Sequence, residues 1–134
     1  MRLVILCAAL CACASQPPPR PGPRQADVVE VVHVQVGWMQ INPGQPNRPT
    51  VEDVKAPAPD ERHAEEIARD VLDKCEKGAP MAPLQQQYSE SDLGTTTVND
   101  ATRQPFRELA LGLKPGECAM MRSNYAFHVI KRVR

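Results

Sequence analysis

The sequence predicts an α+β domain, a small antiparallel sheet with helices packed on it, and three observations carry that expectation. A valine-rich run with clear alternation opens the ordered part of the chain, an amphipathic helical stretch follows, and two short β-rich segments close it. The order is strand, helix, helix, short helix, strand, strand.

Val28-Val29-Glu30-Val31-Val32-His33-Val34-Gln35-Val36 is dense in β-branched residues, which fit a pleated surface. Side chains alternate across a strand, so Val32, Val34 and Val36 share one face while His33 and Gln35 point to the other. A histidine therefore projects opposite an all-valine face. Residues 37–59 hold no sustained period and read as a long surface loop. Asp60 then caps a helix running to about Lys77, with Ala64, Ile67, Ala68, Val71, Leu72 and Cys75 at the spacing of one buried stripe. Glu61 lies at the positive end of that helix and Lys74 and Lys77 at its negative end, and Gly78 supplies the stop. Glu65–Arg69 and Asp70–Lys74 are stabilising pairs four residues apart on a solvated face that also carries His63.

A second short helix is expected over 81–88. Residues 89–102 are polar and turn-rich. Pro105 suits the first position of another helical turn, and Lys114-Pro115-Gly116-Glu117 is a turn by residue chemistry. Strands follow around 118–121 and 126–133. In the last of them Phe127, Val129 and Val133 share a face, and His128 and Ile130 share the other.

At 134 residues the chain is at most one ordinary domain. Ten of its 14 prolines precede Asp60, so the first 59 residues do not form one continuous packed unit. Sixteen basic side chains balance sixteen acidic ones and aromatic content is 4%, which argues against both an electrostatic footprint and a stacking surface for nucleic acid.

Met1-Arg2 and the apolar run from Leu3 to Leu10 have the form of a secretory signal, far short of the about 20 residues that a spanning helix needs. Leu10-Cys11-Ala12-Cys13 resembles the bacterial lipobox, in which an aliphatic residue sits three before a cysteine that is cleaved and diacylated. An ordinary secretory signal cut near Ala14 is the other reading. On the first, residues 1–12 are the signal peptide, Cys13 carries lipid, 13–27 form a stiff proline-rich tether, and 28–134 form the domain. Cys75 and Cys118 remain. An exported compartment permits a disulfide between them, and two small buried apolar side chains are an equal alternative. Neither belongs to a pair with metal-ligand spacing.

Four segments together resemble the parvulin (PpiC-type, rotamase) family of peptidyl-prolyl isomerases. Val32-His33-Val34-Gln35-Val36 is similar to the family's opening histidine strand. The stretch from Ala64 to Ser89, ending Leu84-Gln85-Gln86-Gln87-Tyr88-Ser89, resembles its long helix and aromatic-serine. Pro105-Phe106 through Leu113-Lys114-Pro115-Gly116-Glu117 resembles its proline-phenylalanine and glycine-glutamate stretch. Tyr125-Ala126-Phe127-His128-Val129-Ile130-Lys131 looks like its closing histidine strand. Where the family usually inserts several residues before a Gly-Gly-Asp-Leu-Gly turn, Tyr88-Ser89-Glu90-Ser91-Asp92-Leu93-Gly94 runs the two features together. Thr102 stands at the usual methionine and Ala126 at the usual glycine.

The resemblance implies a parvulin-like fold and prolyl isomerase activity; joined with the signal and the lipobox-like start, the expectation is an enzyme assisting exported proteins at the bacterial envelope, lipid-anchored and facing the periplasm. Its site would comprise His33 and His128 as a hydrogen-bonded pair, Ser91 or Asp92 as the further polar group, and Leu93, Thr102, Phe106 and Ser123 around the proline. The histidine pair also has a structural reading, an internal hydrogen bond holding two strands in register. Partners would be proline-containing segments of unfolded or exported proteins, with no nucleic acid, no cofactor, no metal, and a monomeric chain. The shortened loop and Thr102 keep open an alternative, a weakly active or inactive parvulin-like chaperone or binding module.

Overall fold

The computed structural model of the chain describes residues 22–39, 57–89 and 93–134. The signal, Cys13 and most of the tether lie outside them, as do Ser91 and Asp92. In chain order the elements are β1 (Val29–Gly37), α1 (Glu61–Glu76), α2 (Met81–Tyr88), β2 (Thr95–Val98), α3 (Phe106–Gly112), β3 (Cys118–Arg122) and β4 (Ala126–Arg132). The four strands form one antiparallel sheet in the order β2-β1-β4-β3. The α+β architecture is the one the sequence predicts, with one strand added.

That strand, β2, lies inside the stretch read as polar and turn-rich. Threonine is polar by composition but β-branched by shape, and a half-wet edge strand takes it readily. Thr95 and Thr97 are exposed while Val98 is fully buried.

Alternation divides the interior into two cores. Val34 and Val36, with Phe127 and Val129 of β4, pack under Ala64, Ala68, Val71 and Cys75 of α1 and Met81 and Leu84 of α2. On the opposite face Val29, Val31, Val98 and Ile130 meet Leu109, Ala110 and Leu111 of α3. Each fully buried aliphatic side chain contributes about 1.5–3 kcal/mol. A one-residue slip of β1 would swap its two faces, turning Val34 and Val36 away from α1 and carrying His33 and Gln35 into that core, so the register is tightly specified.

Helix α1 begins where Asp60 accepts the backbone N–H of His63 at 2.9 Å. The same oxygen meets His63 Nδ1 at 2.8 Å, so a histidine expected merely to lie on a solvated face is tied to the helix cap. The backbone N–H of His63, more than any other group, holds the Asp60 carboxyl below its usual range. Arg62–Glu66, Glu65–Arg69, Asp70–Lys74 and Asp73–Lys77 pair four apart along the exposed face, each worth a few tenths of a kcal/mol. In the turn before β3, Glu117 N–H closes on Lys114 O at 3.0 Å, and Gly116 holds φ +82, a region glycine enters without steric cost.

One sequence expectation changes here, and one open alternative closes. The described ends of the 37–59 stretch are core, not surface: Trp38 and Ala58 are 7% and 3% exposed and form a parallel bridge. The indole packs on Phe127 with centroids 5.7 Å apart, a large apolar area that extends the α1 core past the end of β1. The cysteines are a disulfide, Cys75–Cys118, with Cα atoms 6.3 Å apart, joining the last turn of α1 to the start of β3.

Candidate functional site

In the β1–β4 ladder His33 stands opposite Ile130 and Gln35 opposite His128. The two histidines are thus diagonal neighbours on one face of the two central strands. Helix α3 opens on that face, and its first residue, Phe106, sets its ring edge-on to both imidazoles, 5.2 Å from His33 and 6.2 Å from His128. Tyr125 lies edge-on to His128 at 5.8 Å. Both histidines are 6% exposed. Residues from three separate parts of the chain therefore meet over one patch of sheet.

The two rings do not bond to each other as expected. Their centroids are 6.2 Å apart, and His128 Nε2 instead meets Ser123 Oγ at 3.0 Å. Ser123 sits in the β3–β4 turn, where its hydroxyl also accepts the Ala126 N–H at 3.2 Å and donates to Ala126 O at 3.1 Å. A hydroxyl has one proton. With that proton on Ala126 O, His128 Nε2 is the donor, and its tautomer follows from the network. His128 Nδ1 is then a lone-pair nitrogen, buried and without a hydrogen-bond partner among the described residues. Burial first, and the neighbouring His33 second, push the His128 pKa down to about 4. The ring is neutral at physiological pH. His33 Nε2 lies 3.5 Å from the Gln35 amide nitrogen.

The other expected residues are placed differently. Thr102 is half-buried and its hydroxyl accepts the Asn99 N–H at 3.1 Å, closing a turn ahead of α3. Leu93, expected as a second wall, is 55% exposed and belongs to neither packed cluster. Ser91, Asp92 and Cys13 lie outside the described residues. A concavity of about 680 Å³ runs along β3 between α1 and α3, and none of the described candidates, His33, Leu93, Thr102, Phe106, Ser123 or His128, lines it. Among the described residues no cluster of three histidine, cysteine or acidic side chains could hold a metal, and no helix is long and apolar enough to cross a membrane.

Sequence reasoning missed the groups that hold β1 in place at the site. The outer edge of β1 is paired by β2 only from Val29 to Val32. Beyond it the Gln85 amide donates to His33 O at 2.9 Å, Ser89 Oγ accepts the Gln35 N–H at 2.9 Å, and Ala58 N–H reaches Gly37 O at 2.8 Å. Gln85 and Ser89, each 2% exposed, do with side chains what a longer β2 would do with backbone. The one signal the sequence offered is spacing: Gln85 falls four residues after Met81 and next to Leu84, on the buried stripe of α2. Tyr125 carried no periodic signal at all.

Residues 26–133 match the family model described as the PPIC-type PPIase domain. The solution structure of TbPIN1 is similar, with a TM-score of 0.58 and 16% identity over 82% of this chain and 100% of that one. The crystal structure of PrsA from Bacillus subtilis matches with a TM-score of 0.48 and 20% identity, covering 81% of this chain and 35% of that one. No curated protein matches the chain significantly. At 16% identity the likeness to TbPIN1 establishes the fold, and the fold agrees with the family match. Because that match runs from before β1 to past the end of β4, the chain belongs to the PPIC-type peptidyl-prolyl isomerase (parvulin) domain family.

Proposed function

We propose that the chain catalyses cis–trans isomerisation of X–Pro bonds in exported proteins, with the patch formed by His33, His128 and Phe106 as its site. The observation that carries this reading is the convergence of the two imidazole rings with an aromatic wall, from three chain segments, on the central strands.

Rotation about an X–Pro bond crosses a barrier of about 20 kcal/mol, because amide conjugation is lost at the twisted state. No nucleophile and no metal are needed. Catalysis requires an apolar surface that grips the pyrrolidine ring and a polar frame that favours the twisted amide over both planar forms. Phe106 offers the surface. His128, held as a donor to Ser123 and kept uncharged by burial, offers a fixed dipole without the cost of a buried charge. His33 completes the frame, and Ser91 or Asp92 is the further polar group that the family resemblance implies.

The test is an isomerisation assay on proline peptides. Acceleration by the wild-type chain, lost in His33→Ala and Phe106→Ala, supports the reading. Retention of full acceleration by both variants would overturn it. The exposure of Leu93 and the turn-bound hydroxyl of Thr102 favour a second reading, a slow or inactive module that still binds unfolded chains. No acceleration with intact binding of an unfolded protein would select it. The same proposal places the domain at the bacterial envelope, facing the periplasm on a lipid attached to Cys13. Incorporation of labelled fatty acid, abolished by Cys13→Ser, checks that placement.

A further inference from the structure

We infer that Gln85 is a positioning residue for the isomerase site, a side-chain clamp that fixes the backbone of His33 to the start of β2; this rests on the functional reading just given. Three hydrogen bonds meet at one amide. Gln85 Nε2 donates to His33 O at 2.9 Å and to Gly94 O at 3.1 Å, and Gly94 N–H donates to Gln85 Oε1 at 3.0 Å. The bonds span 52 residues on one side and nine on the other, so the amide ties α2, β1 and the β2 entry together. Gly94 holds φ +88, which aims both of its backbone groups at the clamp, and a side chain there would be strained.

The need for a clamp follows from the sheet. Odd-numbered residues of β1 direct their backbone groups toward the β2 side, yet β2 ends opposite Val32. His33 is the first residue past that end. Without Gln85 its carbonyl would lose a buried partner, and the backbone that aims the imidazole at Phe106 would lose its anchor. Gln85 is 2% exposed on an eight-residue helix. Burial at that level leaves a glutamine amide no recourse to water, and the three protein bonds satisfy it instead.

The experiment compares Gln85→Met with Met81→Ala, a core truncation on the same helix, in the full chain. Three readouts are taken: hydrogen exchange at the Gly94 amide, the NMR signals of the His33 ring, and kcat and KM on a proline peptide. Gln85→Met is expected to speed Gly94 exchange by about tenfold or more, shift the His33 signals, and lower kcat about tenfold with KM little changed. Met81→Ala is expected to lose stability without those three changes. Gln85→Glu keeps the acceptor for Gly94 N–H but, while ionised, cannot donate. Its Gly94 amide protection is expected to stay, and its kcat relative to wild type to recover as the pH is lowered from about 8 to about 6, because a protonated carboxyl can again donate to His33 O and burial raises a carboxyl pKa. Unchanged Gly94 exchange and His33 signals in Gln85→Met overturn the clamp, as does an equal loss of kcat in Met81→Ala. A wild-type chain without isomerase activity would refute the functional reading alone, and the exchange and ring signals would still decide the clamp.

Discussion

Acidification tests the burial of His128 directly. Its folded-state pKa of about 4 lies below the ordinary 6.5, from burial and then from His33. The unfolded chain therefore takes up the proton first as the pH falls, and folding stability falls with it. Above about pH 7 both states are neutral here and the full stability is present; the loss accumulates between about pH 6.5 and 4 and then stops. A gap of that size corresponds to about 3 kcal/mol in total, about 2 of which is gone by pH 5. Other groups also weaken the fold in acid, because Asp60 and Glu61 have carboxyls held below their usual range by His63 and Arg122 respectively. Subtraction removes them. Urea unfolding of the wild type and of His128→Gln, run from about pH 8 to 4, should give curves whose difference shrinks by about 2–3 kcal/mol toward acid. Glutamine can still donate to Ser123 Oγ but has nothing to titrate. NMR titration of the native His128 ring supplies the second measurement. Parallel stability curves, or a native ring titrating near 6.5, would refute the placement of this imidazole between His33, Phe106 and Tyr125.

Two further outcomes are expected. Converting Cys75 and Cys118 to serine should lower stability by about 2–4 kcal/mol, because the bridge closes a loop spanning 43 residues and restrains the unfolded chain; unchanged urea midpoints in the oxidised and double-serine proteins would exclude that contribution. Ser123→Ala should cost about 1–3 kcal/mol, since it strands the His128 Nε2 donor and the Ala126 N–H, and the ring nitrogen shifts of His128 should report a changed tautomer mixture.

Local pattern accounts for much of this protein. The valine alternation of β1 put His33 and Gln35 on one face, and the closing strand put His128 with Ile130, so both histidines were legible as residues of the same kind of sheet face. The stripe from Ala64 to Cys75, the Asp60 cap and the pairs four apart likewise follow from helical spacing, which needs no knowledge of the partner surface. The family resemblance then supplied the pairing of segments that period alone leaves open.

What period cannot encode is which distant group completes a hydrogen bond. The threonines of β2 became a strand because the edge of β1 offered them a ladder, and where they ran out, Gln85 and Ser89 took over from more than 50 residues away. His128 turned to Ser123 rather than to His33 because the β3–β4 turn delivered a hydroxyl closer than the neighbouring strand delivered a ring. Trp38 and Ala58 joined the core, and Cys75 met Cys118, only once α1 lay across the sheet. Sequence determined which faces are apolar, because side-chain direction is a local property of the backbone. Tertiary structure decided which polar groups are satisfied and by whom, because that depends on distances between segments that no local pattern contains.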